Sequence, residues 1–254
     1  MIPSVEGLAA FGPAAVAACL LAGYLVVGEP AVGTVLHRRF EAALARDPDA
    51  RTWLYQRLLV LEWGLVVLVA GVLWLAPSVG AGEIGLRLPE QAPNPVAVVL
   101  AVLVVAFLVV STKAVRASVR RSADMTAVTA AAPRAITSLV PRSPTERRWF
   151  GLVAVTAGFC EELLYRGFLL AVVLAIAPGI PDLALVALGA VTFGLAHFYQ
   201  GLGGVVATTV LGAILTFLYV GTGTVLVPMV VHAAIDLRIL WLPVGMLPAE
   251  GRDG

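Results

Sequence analysis

A chain of 254 residues that is 60% hydrophobic and only 13% charged, with a mean hydropathy of +0.95, does not suit a water-soluble surface; soluble domains are nearer half apolar and a quarter charged. A net charge of +1 gives no basic face for a nucleic-acid partner, and the two cysteines, Cys19 and Cys160, lie inside apolar runs rather than in a disulfide framework. The composition therefore predicts an all-α, polytopic bundle of membrane helices, whose other partner is the lipid bilayer.

A helix of about 20 apolar residues is as long as a bilayer core is thick. On that window seven runs stand out, roughly Leu8–Val27, Leu58–Ala76, Pro95–Val110, Phe150–Ile176, Leu183–Phe198, Val205–Val220 and Thr224–Leu242. Turn chemistry separates them at Gly28-Glu29-Pro30, Pro77-Ser78, Pro178 to Pro181, Gly201 to Gly204 and Gly221-Thr222-Gly223. The first run contains Val16-Ala17-Ala18-Cys19, which looks like a lipoprotein box. Nothing before it is basic, however, so the run reads as a span and not as a cleaved signal.

Arginines set the expected orientation. Arg38, Arg39, Arg46, Arg51 and Arg57 fill the first connection, and Arg87 stands alone in the second. Lys113, Arg116, Arg120, Arg121, Arg134, Arg142, Arg147 and Arg148 fill the third. Positive residues stay inside, so the N-terminus is expected outside and, with seven spans, the C-terminus in the cytoplasm. Arg116, Arg120 and Arg121, interleaved with Ala and Val, fit either an interfacial helix on anionic lipid or a solvated loop. Lys113 is the one lysine among 17 basic residues, a bias of GC-rich bacterial genomes, so a bacterial plasma membrane is the expected location.

Interest concentrates in the fourth span, at Glu161, Glu162 and Arg166. Each ionised residue at mid-bilayer costs roughly 2.5–3.5 kcal/mol on insertion scales, so three need partners or a water-filled cavity. Glu162 and Arg166 are four apart, in the acid-first order that favours an ion pair. Glu161 is rotated about 100° from Glu162 and has no full intrahelical partner. It is free to face a cavity, where a carboxylate can serve as a general base. Glu62, in the second span, stands near Arg57 and reads as snorkelling to the cytoplasmic interface.

His197 ends Phe193-Gly194-Leu195-Ala196-His197 in the fifth span, and His232 stands one turn before Asp236 in the seventh. Asp236 can orient the His232 ring or share a ligand face with it. Glu161, His197 and His232 come from three helices, which is how sites in bundle cores are assembled. The Gly-x-Ser-Gly of serine rhomboids, the His-Glu-x-x-His of zincins and the Gly-x-Gly-Asp of presenilin-type enzymes are all absent.

Glu-Glu-x-x-x-Arg, then Phe-x-x-x-His, then His-x-x-x-Asp resembles the CPBP family of CAAX proteases and bacteriocin-processing enzymes, also called the Abi family. The resemblance covers about Pro141 to Asp236 and includes the lead-in Pro141-Arg142-Ser143-Pro144-Thr145-Glu146-Arg147. It implies residues 1–140 as N-terminal helices with a basic connection, 141–242 as the catalytic core and 243–254 as a short tail. It implies an intramembrane endopeptidase acting on a membrane-associated protein or peptide. Glu161 would activate water, His197 would hold it, and Glu162, Arg166 and Phe193 would support them. His232 and Asp236 would act at the oxyanion, although the family often has Asn where this chain has Asp236, and Asp donates only when protonated.

Two mechanisms stay open. Glu161, His197 and His232 suffice to ligate zinc with a free position for water. Alternatively, Glu161 and His197 polarise water directly, with no cofactor. Two other classes also use such residues: a non-catalytic binder, scaffold or immunity protein built on the same fold, and a proton-coupled transporter, for which the expected inverted repeats are missing.

Overall fold

Each of the seven apolar runs becomes a helix in the computed structural model, which describes residues 5–89, 92–121 and 134–241. Helix α1 runs Ala15–Gly23, through a π-helical stretch Tyr24–Gly28, and on as Glu29–Leu44. Helix α2 is Ala50–Leu75, α3 is Pro95–Arg121, and α4 is the single turn Arg134–Thr137. Helix α5 begins as Pro144–Glu161, passes through a π-helical stretch Glu162–Leu169, and ends as Leu170–Ile176. Then follow α6 (Asp182–Ala196), α7 (Gly201–Thr222) and α8 (Leu226–Leu237). The expected tail at 243–254, residues 122–133 of the third connection, and the side chains of Arg116, Arg120 and Arg121 lie outside what is described.

Leu8–Leu44, Ala50–Leu75, Pro95–Ala114 and Phe198–Thr222 are long and apolar enough to cross a bilayer. Helix α5 is long enough too, but holds Glu161, Glu162 and Arg166 at its middle. Val60, Val67 and Trp74 on α2, with Val102, Leu103 and Phe107 on α3, stay exposed. Such a surface is stable where hydrocarbon replaces water as the solvent.

Three sequence expectations change. Gly28-Glu29-Pro30 is not a turn: the backbone stays helical through it, and Glu29 sits inside α1. Pro30 has no N–H for the carbonyls one turn back, and the π-helical stretch beside it absorbs the mismatch. One carbonyl of that stretch, Leu25 O, accepts from the Tyr165 hydroxyl at 3.3 Å. The second span starts at Ala50, so Arg51 and Arg57 are helical rather than in a loop. Of the Gly201 to Gly204 passage only Gly201, at φ 74°, makes the turn, and the whole passage opens α7.

Close packing without a hydrophobic driving force relies on small residues. A Cβ added at Gly212 of α7 would stand 3.0 Å from Ala190 Cα of α6. One at Gly158 of α5 would meet Ala233 Cα of α8 at 2.8 Å. These contacts bring α6, α7 and α8 against the charged middle of α5. The start of α5 is fixed separately by a capping box. Ser143 Oγ accepts from the Glu146 N–H at 3.1 Å, and Glu146 Oε2 accepts from the Ser143 N–H at 3.1 Å. Glu146 also faces Arg51 of α2 at 3.8 Å, and Arg147 donates to Leu240 O beyond α8.

Candidate active site

Two adjacent glutamates divide the site. Glu162 is fully buried, and its Oε1 accepts from Arg166 Nη1 at 2.8 Å and from His232 Nδ1 at 2.8 Å. Arg166 is likewise sealed. Its Nε donates to Thr216 Oγ1 at 3.4 Å and its Nη2 to Gly212 O at 3.3 Å. Its Cζ lies 4.2 Å from the centroid of the Phe193 ring, a cation–π contact in a desolvated setting. The predicted i,i+4 pair is therefore one side of a network that also takes in α6, α7 and α8. Gly212 keeps α7 close to α6 there, because an added Cβ would stand 3.0 Å from both Ala190 Cα and Phe193 Cβ.

Glu161 faces the other way. Its side chain keeps 19% of its exposure and that of His197 keeps 15%, whereas Glu162 and Arg166 keep none. Glu161 Oε2 stands 4.0 Å from His197 Nε2 and has no hydrogen-bond partner of its own. His197 Nδ1 is 2.9 Å from Phe193 O. A carbonyl only accepts, so Nδ1 carries the proton and, in the neutral ring, Nε2 presents its lone pair toward Glu161. Phe193 also packs edge-on against Tyr165 and His232, which fixes both histidines relative to α5.

His232 is placed differently from the simplest expectation. Its Nδ1 is taken by Glu162, and its Nε2 is 3.6 Å from Asp236 Oδ2, an ion-pair distance longer than a hydrogen bond. Glu162, not Asp236, therefore orients this ring. Among the described residues no three His, Cys, Asp or Glu side chains are placed to share a metal ion, and the zinc set Glu161, His197 and His232 does not fit as it stands.

Glu161 and His197 line a cavity of about 70 Å³ whose walls also include Glu29, Glu62, Leu25, Leu58, Leu61, Leu65 and Tyr199. Glu62 was expected at the interface beside Arg57. Instead it is buried in the cavity wall, and the Arg57 guanidinium lies 3.5 Å over the Trp53 ring. A carboxylate in the interior of a long apolar helix was itself the signal that places it in the bundle. Glu29 was hidden in the sequence by its turn-like neighbours.

Residues 144–238 match the family described as Type II CAAX prenyl endopeptidase Rce1-like. That segment belongs to the CPBP family. It contains Glu161, Glu162, Arg166, Phe193, His197, His232 and Asp236 in the order of the CPBP motifs. Membership supports an intramembrane endopeptidase in general terms and a membrane-associated protein as its substrate. No curated protein and no solved structure matches the chain.

Proposed function

We propose that the protein hydrolyses a peptide bond of a membrane-associated protein or peptide, with water activated by Glu161 and His197 and without a metal. The observation that carries this reading is the 4.0 Å gap between Glu161 Oε2 and His197 Nε2. It is too wide for a direct hydrogen bond, yet one water bridges it at ~2.8 Å from each atom. Both atoms accept, so the water donates to both and turns its lone pairs toward a bound carbonyl carbon. Attack forms the C–O bond as Glu161 takes the proton. Glu161 then returns that proton to the leaving nitrogen as the C–N bond breaks, which gives a carboxylic acid and an amine.

His232 is held by Glu162 rather than by Glu161. As an imidazolium it donates through Nδ1 to Glu162 and through Nε2 toward Asp236 or a developing oxyanion. Arg166 and Glu162 act through this ring and touch no substrate. The scarcity of lysine supports a bacterial plasma membrane, and the arginine-rich connections support an N-terminus outside and a C-terminus in the cytoplasm.

The test compares new peptide termini in membrane proteomes of cells making wild type, Glu161→Ala or His197→Ala. Termini that appear with wild type alone are expected, and they persist when a chelator is added to the membranes. Loss on chelation would restore the zinc mechanism. Identical termini in all three, with the same co-purifying partners, would sink the peptidase and leave the non-catalytic binder.

A further inference from the structure

The hydrolytic scheme leaves two carboxylates of the same cavity unused. Glu29 comes from α1 and Glu62 from α2, both outside the segment that matches the family. Each has its Oε2 buried without a hydrogen-bond partner. Glu62 is only 8% exposed, so it meets neither bulk water nor a headgroup. We infer that Glu29 and Glu62 form a subsite for a basic side chain of the substrate, Lys or Arg, beside the bond that Glu161 and His197 attack. This deepens the peptidase reading above and rests on it.

Carboxylate oxygens only accept, and an ammonium or guanidinium brings several donors together with the opposite charge. Among the described residues that line the cavity none is Lys or Arg. Arg57 is spent over Trp53, and Arg166 is sealed against Glu162. A metal ion is a poorer occupant, since no three ligands converge among the described residues.

The size and polarity of the space agree. A volume of about 70 Å³ has room for several waters or one side chain. Leu58, Leu61 and Leu65 share a wall with Glu62, which suits the aliphatic stem of a basic residue whose head reaches the carboxylates. Specificity is thus set by helices α1 and α2, while the chemistry is set by α5, α6 and α8.

The experiment uses the purified full chain in liposomes with a library of single-span reporter proteins that carry a short randomised segment at the bilayer edge. Segments cut by wild type but not by Glu161→Gln are sequenced. Lys and Arg are expected at one fixed position from the cut, enriched at least about tenfold. A matched reporter pair with Lys or Met at that position then gives a ratio of kcat/KM. Glu62→Gln and Glu29→Gln should each lower that ratio about tenfold, which a merely structural role would not do. Should Glu62→Gln fail to accumulate, Glu29→Gln, at a half-buried position, carries the same test. Cleavage with no basic preference, or a Lys-over-Met ratio unchanged in the variants, overturns the subsite and leaves the peptidase standing. No cleavage by wild type anywhere in the library overturns the peptidase itself.

Discussion

The two sides of helix α5 carry the same residue type and use it in opposite ways. On one side Glu162 is closed in by Arg166 and His232 at 2.8 Å each. On the other, Glu161 faces a cavity with an unpartnered oxygen. A sealed carboxylate whose charge is matched by an arginine and a histidine is a fixed part of the scaffold, even though the Oε2 of Glu162, like that of Glu161, accepts no hydrogen bond. One whose open acceptor stands at a cavity has room there for a water or a substrate. Adjacent positions on a helix suffice for this division, because a rotation of about 100° sends them to different neighbours.

The contrast can be broken from either side. The largest effect is expected at the open carboxylate: Glu161→Gln should lower kcat/KM about 100- to 10,000-fold, as for the loss of a general base. The variant should still accumulate and melt as wild type does in detergent. A variant that loses fold and activity together would place Glu161 in the scaffold with Glu162.

The reverse pattern is expected for Arg166→Met, which strands the Glu162 charge with only His232 to answer it. Breaking a buried pair in this way destabilises by about 3–5 kcal/mol, so a fall in Tm or in yield should accompany any loss of cleavage. An unchanged Tm would mean that the sealed network does not hold the helices together.

A smaller change tests the packing that brings α8 to α5. Gly158→Ala puts a Cβ within 2.8 Å of the Ala233 Cα, an overpacking that costs about 1–3 kcal/mol. It should also disturb the His232–Glu162 contact, seen as lower activity beyond what the Tm shift explains. The smallest expected effect is Ser143→Ala. It removes the capping bond at the start of α5 for about 1 kcal/mol, lowering Tm slightly with kcat/KM intact.

Much of the site was legible before the fold. Charges in a membrane-length run demand partners, and the spacing of Glu162 and Arg166 named the pair. The three motifs in order brought Glu161, His197 and His232 into view together. What was not legible lay in the first two helices. Glu29 sat in a tripeptide with turn chemistry, yet the π-helical stretch let the helix run through Pro30. Glu62 stood five residues from an arginine, but the arginine turned to a tryptophan instead. Local spacing gives the faces of one helix and cannot tell which other helix covers them.

By itself, then, the sequence determined the all-helical membrane architecture, the order of its helices, and the polar residues that a hydrocarbon interior obliges to pair. These follow from composition and period, which act along the chain. Tertiary structure decided the rest: that His232 answers to Glu162 rather than Asp236, that Glu161 looks into a cavity, and that α1 and α2 line it with two further carboxylates. Such facts depend on close approach between helices distant in sequence. Glycines at positions 158 and 212 permit that approach, and only packing reveals which surfaces they bring together.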